Sequence, residues 1–412
     1  MTSPSMQDAA STEASATSGL DALIAQVRVA VANKTPLAIR AGDTKSWYGH
    51  RVDGATLDVR AHAGIVDYDP SELVIVARAG TALQAIEALL AEHRQMLPFE
   101  PPHFAPHAAS RLPRESAKAD DTISRALAAS GRGATLGGCV AAGLSGPRRM
   151  SAGAVRDYVL GARVIDGRGQ HLSFGGRVMK NVAGYDVSRT LAGSLGTLGV
   201  ITEVALKVLP RPAQTTTLSF DMNEQTALDA LNAWGGMPMS LTASAWRPTA
   251  AATRNGRLMV RLEGGESAVL SGIRRIGGLD VDHAEAAAFW LGLREQTGSL
   301  FASRSPEMPL WRIALPSTAP PLDAAILGFD DQLIEWGGAL RWIASKVDGN
   351  AIRAAAKQLG GHATLWRGSE AMKAQVGVFA PLSAPLMAIH RRLKAEFDPD
   401  RLFNRGRIYP EL

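Results

Sequence analysis

Between residues 133 and 146 the chain reads GATLGGCVAAGLSG, with small residues at nearly every position. A backbone stripped of bulk can come very close to another backbone or to a flat ligand. The run is therefore either a place of tight strand packing or the bed of a large planar molecule. Two further small-residue turns constrain the choice. In IRAGDTK (39–45) a strand ends in a turn that is either ordinary or a nest of backbone N–H groups facing one anion. In AGSLGTLGVITEV (192–204) Gly193, Gly196 and Gly199 flank Thr197 just before a buried strand. Three sites of close backbone approach in one domain are what a long dinucleotide would require. Familiar nucleotide loops do not account for them. No GxxxxGK occurs, and Gly131, Gly133 and Gly137 are spaced one residue too wide for GxGxxG and lack its strand–loop–helix setting.

The remaining pattern predicts the elements around these turns. Leu20, Leu23, Ile24, Val27 and Val31 recur at helical spacing, so a helix is expected from about Leu20. Residues 1–18 are small and polar, without Lys or Arg, and read as a disordered tail rather than a secretory signal. PLAIRAG (36–42), ATLDVR (55–60) and ELVIVARAG (72–80) read as strands, followed by a helix from Thr81. The prolines of QMLPFEPP (95–102) keep that stretch extended. Residues 106–132 are polar and rich in Ala and Ser, and read as an inserted surface loop. Within it Asp121 or Thr122 could cap a short helix that Gly131 ends. A hairpin is expected over 157–176, a helix near 185–191 and a strand over 198–210.

From 213 onward the texture changes to two rounds of strand, helix and strand. Strands are expected at 215–221, 240–247, 257–263, 311–316, 340–344 and 363–367, with helices at 223–234 and 350–359. This predicts an α+β unit whose antiparallel sheet is covered by helices on one face. A last helix, 384–397, leads into FDPDRLFNRGRIYP (397–410), expected to return to the first domain. The expected organisation is a tail (1–18), a first domain (19–211), a second (212–390) and a returning segment (391–412).

Composition removes several function classes. The single cysteine, Cys139, excludes an internal disulfide, a four-cysteine zinc site and a self-contained iron–sulfur cluster. Apolar stretches fall short of the roughly 20 residues a membrane span needs. The formal charge of +5 comes without a Lys/Arg block, and aromatics at 6% do not interleave with basic residues. An anionic ligand or partner fits that charge better than nucleic acid. Glu100, His103 and His107 have tempting ligand spacing, but Pro101, Pro102 and Pro106 forbid the helix that would align them, so no metal is expected. A reducing cytoplasmic setting fits these features, with peripheral association at an inner membrane left open.

Four runs carry a resemblance: LPFEPPH (97–103), TLGGCVAAGLSGPRR (135–149), VMKNVAGYDVSRTLAGSLGTLGVITEV (178–204) and FDPDRLFNRGR (397–407). They are similar to the vanillyl-alcohol-oxidase, or PCMH-type, flavoproteins, and within these to FAD-binding subunits of bacterial glycolate oxidases. The likeness covers about 20–211 and the C-terminal segment, is weaker over 213–390, and is absent from the tail and the insert. It implies an α+β fold, a two-part PCMH-type FAD-binding domain followed by an α+β cap domain with an antiparallel sheet. It further implies non-covalent FAD, held at the pyrophosphate by Arg40, Ala41, Gly42, Asp43 and Thr44. Gly137, Gly138, Gly143 and Ser145 would line the ring and ribityl chain. Gly196, Thr197, Gly199, Val200 and Ile201 would contact the cofactor through backbone groups, with Asn404 near the ring.

Two departures matter. The first loop has Ala41 and Asp43 where the family often has glycine. A carboxylate about 4 Å from a phosphate would cost about 4 kcal/mol at an effective dielectric of 20. Asp43 is therefore expected to turn away and accept backbone N–H bonds. The HxGDGN-type metal motif of related catalytic subunits is also missing. Tyr185, Lys180, Arg148 and Arg149 are then the polar groups left to face substrate or a partner, with structural hydrogen bonding the alternative for Tyr185 and Lys180. The resemblance implies an FAD-dependent oxidoreductase subunit in a glycolate oxidase complex, oxidising glycolate, a small 2-hydroxy acid, to glyoxylate. Its partners would be a homologous flavin subunit and an iron–sulfur subunit. A stand-alone 2-hydroxy-acid or alcohol dehydrogenase, or a non-catalytic structural subunit, are the alternatives. The insert is expected to border the cofactor mouth or a partner surface.

Overall fold

The computed structural model describes residues 6–104, 133–176, 186–251, 253–302 and 308–412. The expected insert 106–132, with its capped helix, and the KNVAGY stretch with Lys180 and Tyr185 lie outside the described residues.

A long helix, Met6–Asn33, opens the chain. It begins well before Leu20, inside the segment whose composition predicts a disordered tail, because Ala9, Ala10, Ala14 and Ala16 favour helical backbone. Leu23, Val27 and Ala30 bury its inner face against β1 (Leu37–Arg40) and β2 (Ala55–Asp58), which pair in parallel. Phe403 from the C-terminal segment adds a parallel bridge at Leu37 and is itself fully buried in this cluster.

A second sheet holds most of the first core. Its five strands run β3 (Ile65–Asp69), β4 (Val74–Arg78), β8 (Val200–Lys207), β6 (Val159–Ile165) and β7 (His171–Gly175), every pair antiparallel. Although 36–42, 55–60 and 72–80 follow one another as strands, which would suit one mixed sheet, the strand at 72–80 belongs to this sheet and β1 and β2 form a separate pair. Gly80, after β4, packs closely on the carbonyls of Val59, Arg60 and His62 that follow β2. Strand β3 escapes a sequence reading because its side chains are largely exposed and show no apolar alternation. Between β4 and β8 the helices Leu83–Glu92 and Leu136–Ala142 cover the buried face, the second filling the small-residue run. Short strands β5 (Gln95–Met96) and β9 (Leu209–Pro210) tie the edge. The expected helix near 185–191 is a single 3-10 turn, Ser188–Leu191.

The second body is one antiparallel sheet of eight strands. In spatial order these are β13 (Leu279–Asp280), β10 (Gln214–Asn223), β12 (Asn255–Gly264), β11 (Leu241–Pro248), β15 (Gln332–Glu335), β16 (Leu340–Ala344), β14 (Leu310–Ala314) and β17 (His362–Arg367). Side chains alternate between its faces, as pleating requires. Trp246, Leu258, Val260, Trp311, Ile313, Ile343 and Leu365 pack under the helices Glu224–Gly235, Glu266–Ile276 and Gly349–Gln358. The opposite face carries Ala243, Ala245, Met259, Leu310, Trp342 and Trp366. Helices do not cover one face alone: His283–Glu295 joins this second face through Trp290, together with Trp47, Tyr48, Phe104 and Met150 of the first body. The seam between the two bodies is therefore a core in its own right.

The helix Ala384–Phe397 then brings the chain back to the first core through Phe397. Among the described residues no helix is long and apolar enough to cross a membrane.

Candidate cofactor cleft and adjoining chamber

The three small-residue turns and the C-terminal segment meet in one groove. It is lined by Arg40, Ala41, Gly42, Asp43 and Thr44 after β1, by Gly137 and Gly138 in the Leu136–Ala142 helix, by Gly196, Gly199 and Ile201 at the entry to β8, and by Asn404. Local chemistry explains each wall. Thr135 caps the short helix by accepting the Gly138 N–H at 3.3 Å, and Gly143 ends it at φ 67°. This is why a run with twin glycines is helical at all. At Gly42 an added Cβ would sit 1.7 Å from the Gly133 carbonyl oxygen, so the first turn and the start of the run touch backbone to backbone. A Cβ on Gly196, whose φ is 73°, would lie 2.7 Å from the Asn404 amide nitrogen. Asn404 itself accepts the Ile39 N–H at 2.9 Å and donates to the Leu195 carbonyl at 2.7 Å. One buried amide thus clamps β1, the glycine turn and the C-terminal segment around the groove.

The groove is cationic. Besides Arg40 it is lined by Lys45 and Arg407, neither of which stands out in the sequence. Burial pushes the Arg407 guanidinium down to about 10, helped by Arg40 beside it, and also lowers Lys45. Arg407 donates to the Lys45 and Tyr48 carbonyls at 3.2 Å each, while its buried Nε has no partner among the described residues. Asp43 does not behave as expected. Its backbone sits at φ 54°, and its half-exposed carboxylate lies 3.6 Å from Arg40 instead of accepting N–H groups. The nearby guanidinium is the stronger attraction. Free space within the groove is about 100 Å³, so a long ligand would lie along it.

Not every expected contact lies here. Thr197 is buried, its hydroxyl donating to the Ser194 carbonyl at 2.7 Å and its own carbonyl accepting Lys394 Nζ at 2.6 Å. Val200 points into the core with Leu23 and Phe403. Neither lines the groove: the Thr197 N–H and carbonyl are taken by Ser194 and Lys394, and Val200 pairs with Ile165 in the sheet, while Ile201 does line it. Gly143 and Ser145 line a neighbouring chamber of about 210 Å³, reached along the same chain as it leaves the groove at Ala141 and Ala142. A larger open groove of about 550 Å³ lies elsewhere, between β10 and the helix His283–Glu295.

The chamber spans the seam. From the first body come Tyr48, Phe104, the Gly143–Pro147 segment and Arg149; from the large sheet come Arg312 on β14, Glu335 on β15, Trp342 on β16 and Trp366 on β17. Trp336 anchors it by donating to the Gly146 carbonyl at 3.2 Å. Glu335 is 5% exposed, accepts the Trp342 indole N–H at 2.6 Å, and is pushed up by burial to about 7. Arg149 belongs to this wall. Arg148 does not: it is clamped by Glu263 at 2.6 Å, and its backbone N–H is held by Glu100 at 2.8 Å. Arg261 pairs with the same two carboxylates at 2.9 and 3.1 Å, closing a buried charge cluster between the bodies. Glu100 is thereby occupied, His103 lies 3.1 Å from Glu87, and His107 is outside the described residues. Among the described residues no group of three potential metal ligands converges.

Comparison with known proteins places this architecture. Residues 18–109 match the model of an FAD binding domain. The chain is 45% identical over 391 residues to the glycolate oxidase subunit GlcE of Escherichia coli, covering 95% of this chain and 97% of that protein. The chain belongs to the GlcE family of glycolate oxidase subunits. It is thus an FAD-binding oxidoreductase relative, as its four sequence runs imply. The GlcD subunit of Bacillus subtilis glycolate oxidase is 38% identical over 104 residues, but only 24% of this chain and 22% of that one are matched. Among solved structures, alkyldihydroxyacetonephosphate synthase superposes with a TM-score of 0.59 at 14% identity, covering 93% of this chain and 75% of that one. That likeness shows the shared fold.

The residues of the groove suit FAD. Arg40, Lys45 and Arg407 supply positive charge for a pyrophosphate, while Gly42, Gly137 and Gly196 let Gly133, Ala79 and Asn404 pack close enough to bring the groove's walls together.

Proposed function

We propose that this GlcE-family chain carries FAD non-covalently along the groove and works as one subunit of a glycolate-oxidising complex. The observation that supports it is convergence: three separated small-residue segments and the C-terminal segment meet at one groove with an excess of cations. Arg40, Ala41, Gly42, Asp43 and Thr44 would face the pyrophosphate, with Arg407 behind them. Gly137, Gly138, Gly196, Gly199, Ile201 and Asn404 would form the bed of the ring and its chain. When bound, the flavin supplies the hydride-accepting chemistry; the protein supplies position and charge. The Asn404 amide ties the turn at the Leu195 carbonyl, and the edge-to-face contacts of Trp47, Trp342 and Trp366 pack the seam beside it.

One cysteine gives this chain no iron–sulfur cluster of its own, which supports a partner chain as the electron acceptor. A homologous flavin subunit and an iron–sulfur subunit are the proposed partners, in the cytoplasm or peripherally at the inner membrane. Expressed alone and mixed with FAD, the chain should turn yellow and quench flavin fluorescence at one equivalent. Arg407→Met should weaken uptake about tenfold, the loss of one charge-assisted contact. A colourless protein that ignores added FAD would overturn the reading.

A further inference from the structure

The chamber beside the groove contains more positive charge than its walls neutralise. Arg149, from the first body, lies 4.5 Å from the Trp336 ring, and Arg312, from β14, lies 5.1 Å from the same ring. Among the described residues neither guanidinium has a carboxylate within 4.0 Å. Burial lowers both and Arg149 lowers Arg312 further, so an anion between them would offset that repulsion. Glu335 faces the same space, but its carboxyl is held by the Trp342 indole and does not pair with Arg312. Two planar forks on rigid walls are suited to a flat carboxylate. A free acceptor oxygen beside them is suited to a hydroxyl. At about 210 Å³, between indole rings, the chamber admits a molecule of a few heavy atoms and no long chain.

We propose that this chamber is a carboxylate-binding site of the chain's own, in which Arg312 and Arg149 hold the carboxylate of a small 2-hydroxy acid and Glu335 accepts its hydroxyl. The inference rests on the reading that FAD lies in the adjoining groove, and it makes this chain a substrate-binding subunit. Inorganic phosphate, more highly charged and lacking an apolar carbon, fits less well beside Glu335.

Isothermal titration of the full-length, FAD-loaded chain tests it. Glycolate should bind saturably at one equivalent, more tightly than acetate or inorganic phosphate. Arg312→Met should weaken glycolate binding at least tenfold, and Arg312→Lys by less, because charge survives without the fork. Glu335→Gln should leave acetate binding unchanged while narrowing the preference for glycolate. Flavin absorbance reports in each case that the variant is folded and loaded. A yellow chain that binds no glycolate, or in which Arg312→Met and Arg312→Lys titrate like the parent, overturns the site and leaves the cofactor reading standing. Equal binding of acetate, phosphate and glycolate by the parent overturns it as well. A chain that stays colourless brings down both.

Discussion

Asn404 offers the sharpest test of how the groove is held. Its side-chain amide bonds both β1 and the glycine turn directly from the C-terminal segment, and it is 3% exposed. Asn404→Ala would strand the Ile39 N–H and the Leu195 carbonyl together. A buried polar group left without its partner costs about 1–3 kcal/mol, so the pair should cost about 2–6 kcal/mol, toward the lower end where water fills the gap. Asn404→Asp separates donor from acceptor. It keeps the oxygen that Ile39 needs but sets a carboxylate against the Leu195 carbonyl, which favours the protonated acid. Its folded-state pKa would be raised, so the lost stability should be regained below the ordinary carboxylate pKa of about 4 and lost again as pH rises. Urea denaturation at pH 5 and pH 8, with FAD titrations alongside, distinguishes these effects. Asn404→Ala should be weakened equally at both, and Asn404→Asp should lie closer to the parent at pH 5. Two variants within about 0.5 kcal/mol of the parent, with unchanged FAD affinity, would refute the clamp.

Other consequences are equally direct. Glu335 carries a folded-state pKa of about 7, raised above the ordinary value, so its contribution is full below about pH 4.5 and is lost as pH rises through 7. Glu335→Gln should therefore gain on the parent by about 1.4 kcal/mol per pH unit across that window, read as the difference in thermal midpoints. Burial pushes the Cys139 thiol up to about 12, so an alkylating reagent at pH 8 should label the folded chain not at all and the urea-unfolded chain once. Arg148→Met leaves Glu100 and Glu263 sharing Arg261 alone, and should cost about 3 kcal/mol in urea denaturation. Arg51→Met, which breaks an exposed pair with Asp53 at 3.2 Å, should cost under about 1 kcal/mol and serves as its control.

The legible parts of the molecule were those written in local pattern. Alternating apolar runs located β6, β8, β10 to β12, β14, β16 and β17 within a few residues but not β15, and the family resemblance set FNRGR beside the groove, where Asn404 stands. Contact partners decided what pattern could not. The Leu136–Ala142 helix contains two glycines that argue against it, yet Thr135, Gly143 and the pairing of Leu136 with Thr81 stabilise it. Thr197 and Val200 sit in a motif next to Gly196 and Gly199, but the turn and the sheet take up the backbone groups of the first and the strand pairing of the second, so a motif marks a turn without marking which of its residues line the groove. Arg407 was one residue past the tail motif's last glycine and became visible only when its guanidinium was seen over the groove.

Arg312 and Glu335 show why a site at a seam hides in a sequence. Arg312 is the single polar residue of β14 (LWRIA) and Glu335 the charged end of β15 (QLIE), and by composition each looks like a defect in a core strand. In a sheet whose two faces are both covered, such a residue has only two fates. On the helix-covered face it must be satisfied locally, as Arg341 is by the Ala319 and Pro320 carbonyls at 2.7 and 2.8 Å. On the face that meets the first body it can be left for a partner or a ligand. Arg261 takes the first course, paired with Glu100 across the seam. Arg312 has the same alternation phase toward the seam and no such partner among the described residues. The same seam position thus yields a structural bridge at one point and an open cationic chamber at another, and what separates them is whether the facing loop brings a carboxylate. Where it brings glycines and an arginine instead, the charge must be met from outside the chain.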